Sequence, residues 1–311
     1  MTEIAPSKRT QRLSGEQIQR DLGRMLMALP TDERLPTVRE LAGSLGASIG
    51  SVQAALTRLE EAAAIAVERH GRMGTFLRWR SLGHLWSVVE DLPMVVAFPL
   101  PTSRRIEGLA TAIRSEVLAS KIETFSIFIR GSRKRMQALR QGRCHVAAMS
   151  SFAAHELCSA EEEIAVELAE GTFVSKHVVL ESEVSSPGRL LRVAVDPSSV
   201  DQQKISEMEF AKRPVQFVSV PYMQLSTFIE QGRADCAVWS VDEMTERRPA
   251  RIRDRPLSGS VLSRLAGADL RTALVVRSAD TSTKTVIGNL TLAMLQEIQA
   301  DVVAGRIVPE Y

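Results

Sequence analysis

Along residues 14–80 the apolar positions recur first with a helical period and then in alternation. Ile18, Leu22, Met25, Leu26 and Leu29 share one helical face behind Ser14, which stands at capping distance from Gln17, and Pro30 stops the run. Thr37 and Glu40 form a capping box ahead of a short helix that turns Leu41, Ala42 and Leu45 inward, and Gly46 supplies its left-handed C-cap. Ser48 opens a third helix with Val52, Ala55, Leu56 and Leu59 on its inner face. Val67, Phe76 and Leu77 suit strands, with Gly71 and Gly74 punctuating the turn between them. Three helices and a two-stranded wing predict an α+β winged helix-turn-helix head over residues 13–80, preceded by a polar arm expected to be disordered.

The third helix presents Ser48, Gly50, Ser51 and Gln53 at its start. A helix entering the major groove needs such a small, polar first turn, so that backbone and side chains approach the bases. The stretch resembles the GntR family of bacterial transcription regulators at Leu35, Pro36, Arg39, Glu40, Leu41, Ala42, Leu45, Gly46, Ser48, Val52, Ala55, Leu56, Leu59 and Glu60. The match continues at Gly74, Thr75 and Phe76. The resemblance implies that Arg39 and Ser48 touch the DNA backbone and that the wing glycines let it enter the minor groove. The candidate contacts to double-stranded DNA are Arg39, Thr37, Ser48, Gly50, Ser51, Gln53, Arg58, Arg72, Gly74 and Thr75. Ile49 and Gln53 replace arginines usual in the family, so bidentate guanine readout is missing there, whereas Gln53 can read adenine. Ala63 stands at the usual helix-ending glycine, and the wing tip, residues 71–74, is one residue longer. The basic residues Arg69, His70, Arg72, Arg78 and Arg80 favour DNA over a protein partner.

Trp79, Leu82, Leu85, Trp86 and Val89 fall on one face of a linker helix over residues 81–93, closed by Pro93. That face is a candidate homodimer interface, with packing against the chain's own second domain as the alternative. A homodimer is expected because a lone winged helix contacts few base pairs. From Met94 to Tyr311 β-rich runs alternate with amphipathic helices, which implies an α/β domain with a mainly parallel sheet. Within it "QGRCHVAAMS" (141–150) echoes "QGRADCAVWS" (231–240), and "VVAFPLPTS" (95–103) echoes "LRVAVDPSS" (191–199). The domain therefore reads as two α/β lobes of similar plan, lobe one over 94–188 and 268–311 and lobe two over 189–267.

Two such lobes resemble the type 2 periplasmic-binding-protein fold that bacterial regulators reuse as an effector sensor. Ile229, Gly232, Asp235, Ala237 and Trp239 meet the family pattern, and His145 stands at the aspartate position of the first copy. With a GntR-like head the combination resembles the YhfZ type of regulator. In this fold a small ligand sits between the lobes at the C-terminal ends of strands, where helix N-termini point inward. The expected effector contacts are Pro101, Thr102, Ser103, Arg104, Ser150 and Ser151 from lobe one, and Asp196, Ser198, Ser199, Trp239, Ser240 and Asp242 from lobe two. Hydroxyls and backbone N–H groups around an arginine suit a small anionic metabolite. Each serine is equally open to a capping role, and Trp239 to a core one.

Composition narrows this only slightly. Aromatic residues are 5% of the chain, which argues against a stacking surface for single-stranded nucleic acid. The net charge is +2, and up to Arg80 there are 12 Lys/Arg against 9 Asp/Glu, a mild excess facing an anionic partner. Cys144, Cys158 and Cys236 form no paired pattern, which suits a reducing cytosol; with no signal peptide and no bilayer-length apolar run, a cytoplasmic protein is expected. Nucleophile-elbow, zincin, P-loop and dinucleotide motifs are absent, so no enzyme and no cofactor are expected. No metal is expected either, because Cys144 and His145 are neighbours on a strand and point to opposite faces. The run "SAEEEIAVELAE" (159–170) reads as a helix start favoured by the dipole. The alternative function, an enzyme on a two-lobed scaffold fused to a DNA-binding head, needs a cofactor lysine and a longer chain.

Overall fold

The computed structural model describes residues 14–183, 190–243 and 251–311; the polar arm lies outside them. Two compact units result, one running to Pro93 and including Ser120–Ile122, the other holding Met94–Ala119 and Glu123–Tyr311.

In the first unit the capping signals become helix starts. Ser14 accepts the Gln17 N–H at 3.1 Å and opens α1 (Gly15–Ala28). The Gln17 side chain turns forward to Asp21 instead of back to the cap, so only half of the reciprocal box forms. Before α2 (Val38–Leu45) both halves form: Thr37 N–H donates to Glu40 at 2.7 Å and Glu40 N–H donates to Thr37 at 3.3 Å. Gly46 then takes φ 61°, and Ser48 caps α3 (Ile49–Glu61). The strands β1 (Ile65–Arg69) and β2 (Thr75–Arg80) pair antiparallel around a short 3-10 turn at 71–73. Leu22, Leu26, Leu41, Val52, Leu59 and Leu77 fill the core beneath them.

The linker helix forms as α4 (Leu82–Val89), and its apolar face is used differently from expectation. It packs on α1 within this unit: Leu85, Trp86 and Val89 are buried, and a Cβ added to Gly23 would lie 3.0 Å from Val89. Leu85, Trp86 and Val89 of that face are thus spent within this unit, whereas Leu82 is half-buried and Trp79 on β2 stays exposed.

In the second unit the chain runs β3 (Met94–Phe98), α5 (Arg104–Ala119), β4 (Thr124–Phe128), α6 (Ser132–Arg140), β5 (Val146–Ser150), α7 (Ser151–Leu157), β6 (Glu162–Glu167), β7 (His177–Ser182), β8 (Leu191–Val195), α8 (Val200–Glu209), β9 (Val215–Ser219), α9 (Leu225–Glu230) and β10 (Cys236–Ser240). It ends with β11 (Ile252–Pro256), α10 (Gly259–Leu265), β12 (Thr272–Arg277), α11 (Thr281–Gly288) and α12 (Leu292–Val303). Two five-stranded sheets result, ordered β4-β3-β5-β12-β6 and β9-β8-β10-β7-β11. In each, three mutually parallel strands are followed by two more, each antiparallel to the strand before it. The sequence echoes fall on equivalent places: one pair on β3 and β8 with their exits, the other on β5 and β10 with their entries.

Two expectations need correction. The lobe boundary lies at 168–176 rather than at 188, because β7 pairs with β10 and β11 in the second sheet. The acidic run at 159–170 is no helix start. Ile164 and Val166 alternate, and the segment becomes the edge strand β6, with Glu162 buried against Arg140. Among the described residues no helix is long and apolar enough to cross a membrane.

Candidate functional site

On the head, the first turn of α3 is open. Ser48 and Gln53 are exposed, nothing lies within 4 Å of a Cβ placed on Gly50, and Ser51 is half-buried with its hydroxyl 2.8 Å from that of Ser48. A groove of about 470 Å³ runs between the start of α2, α3 and the wing; Thr37, Gln53, Gly74 and Thr75 line it together with Arg69 and Gly71. Gly74, at φ 101°, lets the chain pass close to Arg34. Much of the positive charge of the wing is consumed internally. Arg69 pairs with Glu60 at 2.6 Å, Arg78 with Asp32 and Glu68, and Arg80 donates to the Leu29 carbonyl. Arg39, Arg58 and Arg72 are exposed and, among the described residues, have no ion-pair partner.

In the second unit the C-terminal ends of the parallel strands of both sheets meet around a cavity of about 100 Å³. Of the expected residues, Thr102, Ser103, Asp196, Ser199 and Ser240 line it. The others do not. Pro101 is exposed, and Arg104 points away to Glu107. Ser150 donates to Asp201, Ser151 to Glu167, and Ser198 folds back onto Asp196 at 2.7 Å. Trp239 stacks behind Tyr222 with centroids 4.8 Å apart, and Asp242 is held by Arg105 and Ser175. Capping and lining coincide at Ser103 and Ser199, each of which accepts an N–H of the helix that follows.

Sequence reading missed Arg130, Arg135, His177, Asp201, Gln202, Tyr222 and Glu243, all in the wall. One signal was present: Arg130-Gly131-Ser132 follows a strand and opens a helix, as Pro101-Thr102-Ser103 does. Arg135 sits on the inner face of α6, where a charge is not anticipated, and donates to the carbonyls of Ile129 and Ala148 at 2.8 Å. Burial lowers its pKa to about 10, which still leaves it charged at neutral pH, with Asp201 opposing the shift. Burial raises the Asp201 pKa, against the Ser150 hydroxyl and the charges of His177 and Arg135. Burial also lifts the Tyr222 phenol well above its ordinary value. Glu243 accepts a hydrogen bond from Thr102 of the opposite lobe at 2.9 Å. Burial pushes its carboxyl up to about 7, with Thr102 opposing and Asp242 adding to the shift.

Lobe one thus brings guanidinium groups to the seam and lobe two brings carboxylates. Arg105 meets Asp242 at 3.3 Å and Arg130 meets Asp196 at 3.7 Å. Arg133 donates to the Pro197 carbonyl at 3.1 Å. Among the described residues no cluster of His, Cys, Asp and Glu has the arrangement of a metal site.

A helix-turn-helix domain family matches residues 31–77, and the YhfZ C-terminal domain family matches residues 82–311. YhfZ of Escherichia coli (strain K12) is 30% identical over 243 residues, which is 76% of this chain and 78% of that protein. The HTH-type transcriptional regulator Rv1152 of Mycobacterium tuberculosis is 54% identical over 50 residues, 16% of this chain and 40% of that protein. The crystal structure of YhfZ from Shigella flexneri superposes with a TM-score of 0.61 at 25% identity, covering 74% of this chain and 98% of that one. A YhfZ C-terminal domain match over most of the chain, with a YhfZ relative 30% identical over three quarters of it, shows that the chain belongs to the YhfZ family.

Proposed function

We propose that the protein is a DNA-binding transcription regulator with a GntR-like winged head, which binds an operator as a homodimer. Its second unit is a type 2 periplasmic-binding-protein-like sensor that takes a small metabolite between its lobes. The observation carrying the first part is the open, polar first turn of α3 beside a groove shared with the wing, with Arg39 and Arg72 unpaired nearby in sequence. The head's likeness to the regulator Rv1152 supports it further. The sensor part rests on the two equivalent sheets and the cavity at their strand ends. Leu85, Trp86 and Val89 are buried in the packing of α4 on α1, so the dimer contact is made by side chains other than these three.

Fluorescence anisotropy with DNA fragments selected from the source genome tests the reading. Arg39→Ala removes a proposed phosphate contact; it weakens binding to all sequences alike and lowers the salt slope by about one. Gln53→Ala shifts sequence preference by roughly 1–3 kcal/mol at one base pair. A wild-type chain that retains no DNA at low salt refutes the regulator.

A further inference from the structure

We infer that the interlobe cavity takes a compact ligand with a protonated primary amine, received by Glu243, and an acceptor group that faces Arg130. This deepens the sensor reading above and rests on it.

Among the described residues, Glu243 Oε2 is sealed from solvent and has no hydrogen-bond partner, although its other oxygen accepts from Thr102 at 2.9 Å. The orphaned buried oxygens of Ser126 and Thr272 do not line the cavity. The remaining acids of the wall are occupied: Asp201 accepts from Ser150, and Asp196 accepts from Ser198 and from the Tyr222 N–H. A buried acceptor left without a partner is costly, more so when it is charged, so a donor entering the cavity recovers that penalty. A cationic donor recovers most, because charge-assisted hydrogen bonds are the strong ones. A purely anionic ligand would instead meet the carboxyl groups of Asp196, Asp201 and Glu243 on lobe two.

Arg130 supplies the complementary end. Its nearest charge, Asp196, is 3.7 Å away, too far for a hydrogen bond, and its side chain is 34% exposed. Arg135 has already committed its Nε and one terminal nitrogen to carbonyls. Size restricts the ligand further. A cavity of about 100 Å³ is smaller than the ~150 Å³ that accommodates benzene, so roughly six heavy atoms or fewer fit.

The test is calorimetric titration of the full chain with glycine and alanine as amine-bearing probes and with acetate and lactate as anions without an amine. Glutamate-to-glutamine substitution at the receiving position, Glu243→Gln, keeps the shape and removes the charge. Glycine or alanine should bind the wild type, and Glu243→Gln should weaken that binding tenfold or more. Affinity should rise from about pH 6 to about pH 8, because a carboxyl whose burial favours its neutral form must ionise to receive the amine. Asp242, His177 on β7, Tyr222, and Thr102 of the opposite lobe also face this carboxyl. Any pH dependence that survives in Glu243→Gln has a source other than this carboxyl. Acetate or lactate binding as tightly as the amines, with Glu243→Gln harmless, overturns the ligand class and leaves the sensor standing. So does amine binding that weakens as pH rises over that range. Silence from all four probes at millimolar concentration overturns both the inference and the sensor reading, while the DNA-binding reading is judged by anisotropy alone.

Discussion

The two lobes share a strand order, a direction pattern and even their small fixtures, yet they bring opposite chemistry to the place where they meet. Gly142 and Gly232 end equivalent helices at φ 68° and 65°. His145 Nδ1 accepts the Val95 N–H at 2.9 Å where Asp235 accepts the Arg192 N–H at 2.7 Å, so a neutral ring and a carboxylate perform one backbone task. At the other end of the strands the likeness stops. Lobe one offers Arg105, Arg130, Arg133 and Arg135; lobe two offers Asp196, Asp201, Asp242 and Glu243. Equivalent backbones therefore give a seam that attracts itself, and the ligand chemistry is written in the side chains that differ between copies.

The severest way to break this comparison is Arg135→Met. Two carbonyls lose their donor and Asp201 loses its counter-charge, so the urea transition of the lobed unit should weaken by about 3 kcal/mol. A loss below about 1 kcal/mol would mean the seam does not depend on this buried cation. Gly131→Ala probes shape instead of charge. Gly131 sits at φ 83°, and an added Cβ would lie 2.5 Å from the Ser198 carbonyl oxygen across the seam. Strain and clash together should cost about 2 kcal/mol and hold the lobes apart, visible as a larger radius of gyration in solution scattering. An unchanged radius would show that the seam yields without opening.

The matched pair Asp235→Ala and His145→Ala sharpens the comparison most finely. Asp235 also holds the Arg192 guanidinium at 2.9 Å, so its loss should cost about 2 kcal/mol against about 1 kcal/mol for His145. Their pH dependence separates them. Burial lowers the His145 pKa, so the unfolded chain binds the proton first on acidification. The His145 contribution is complete above about pH 6.5 and is lost as pH falls from there toward the lowered folded value. His145→Gln should lack that decline in denaturant titrations; a decline of the same size would assign it to other groups.

What could be read from the chain was what local chemistry decides. Capping box, left-handed glycines and strand-to-helix exits each depend on a few adjacent residues, so the head, the equivalent lobes and the serines at helix starts were legible. Ala63 illustrates this from the other side: departing from glycine, it still takes φ 49° at the end of α3. What depends on distant partners was not legible. Nothing local says that β7 joins the second sheet, that α4 meets α1, or that β6 waits beside β12. Arg104 looked suitable because it follows a hydroxyl pair, yet the helix turns it outward to Glu107, and Arg130, one exit further along, takes the place at the wall.

The strand order also sets a timetable for synthesis. Every strand of the second sheet lies between His177 and Pro256, so that lobe emerges from the ribosome as one continuous piece able to complete its sheet. The first sheet cannot do so. Among the described residues β6 pairs only with β12, which is made about a hundred residues later, a delay of roughly 5–20 s at ordinary elongation rates. During that interval β5 has an open edge and β6 has no paired neighbour. The lobe that begins first in the chain is the last to close.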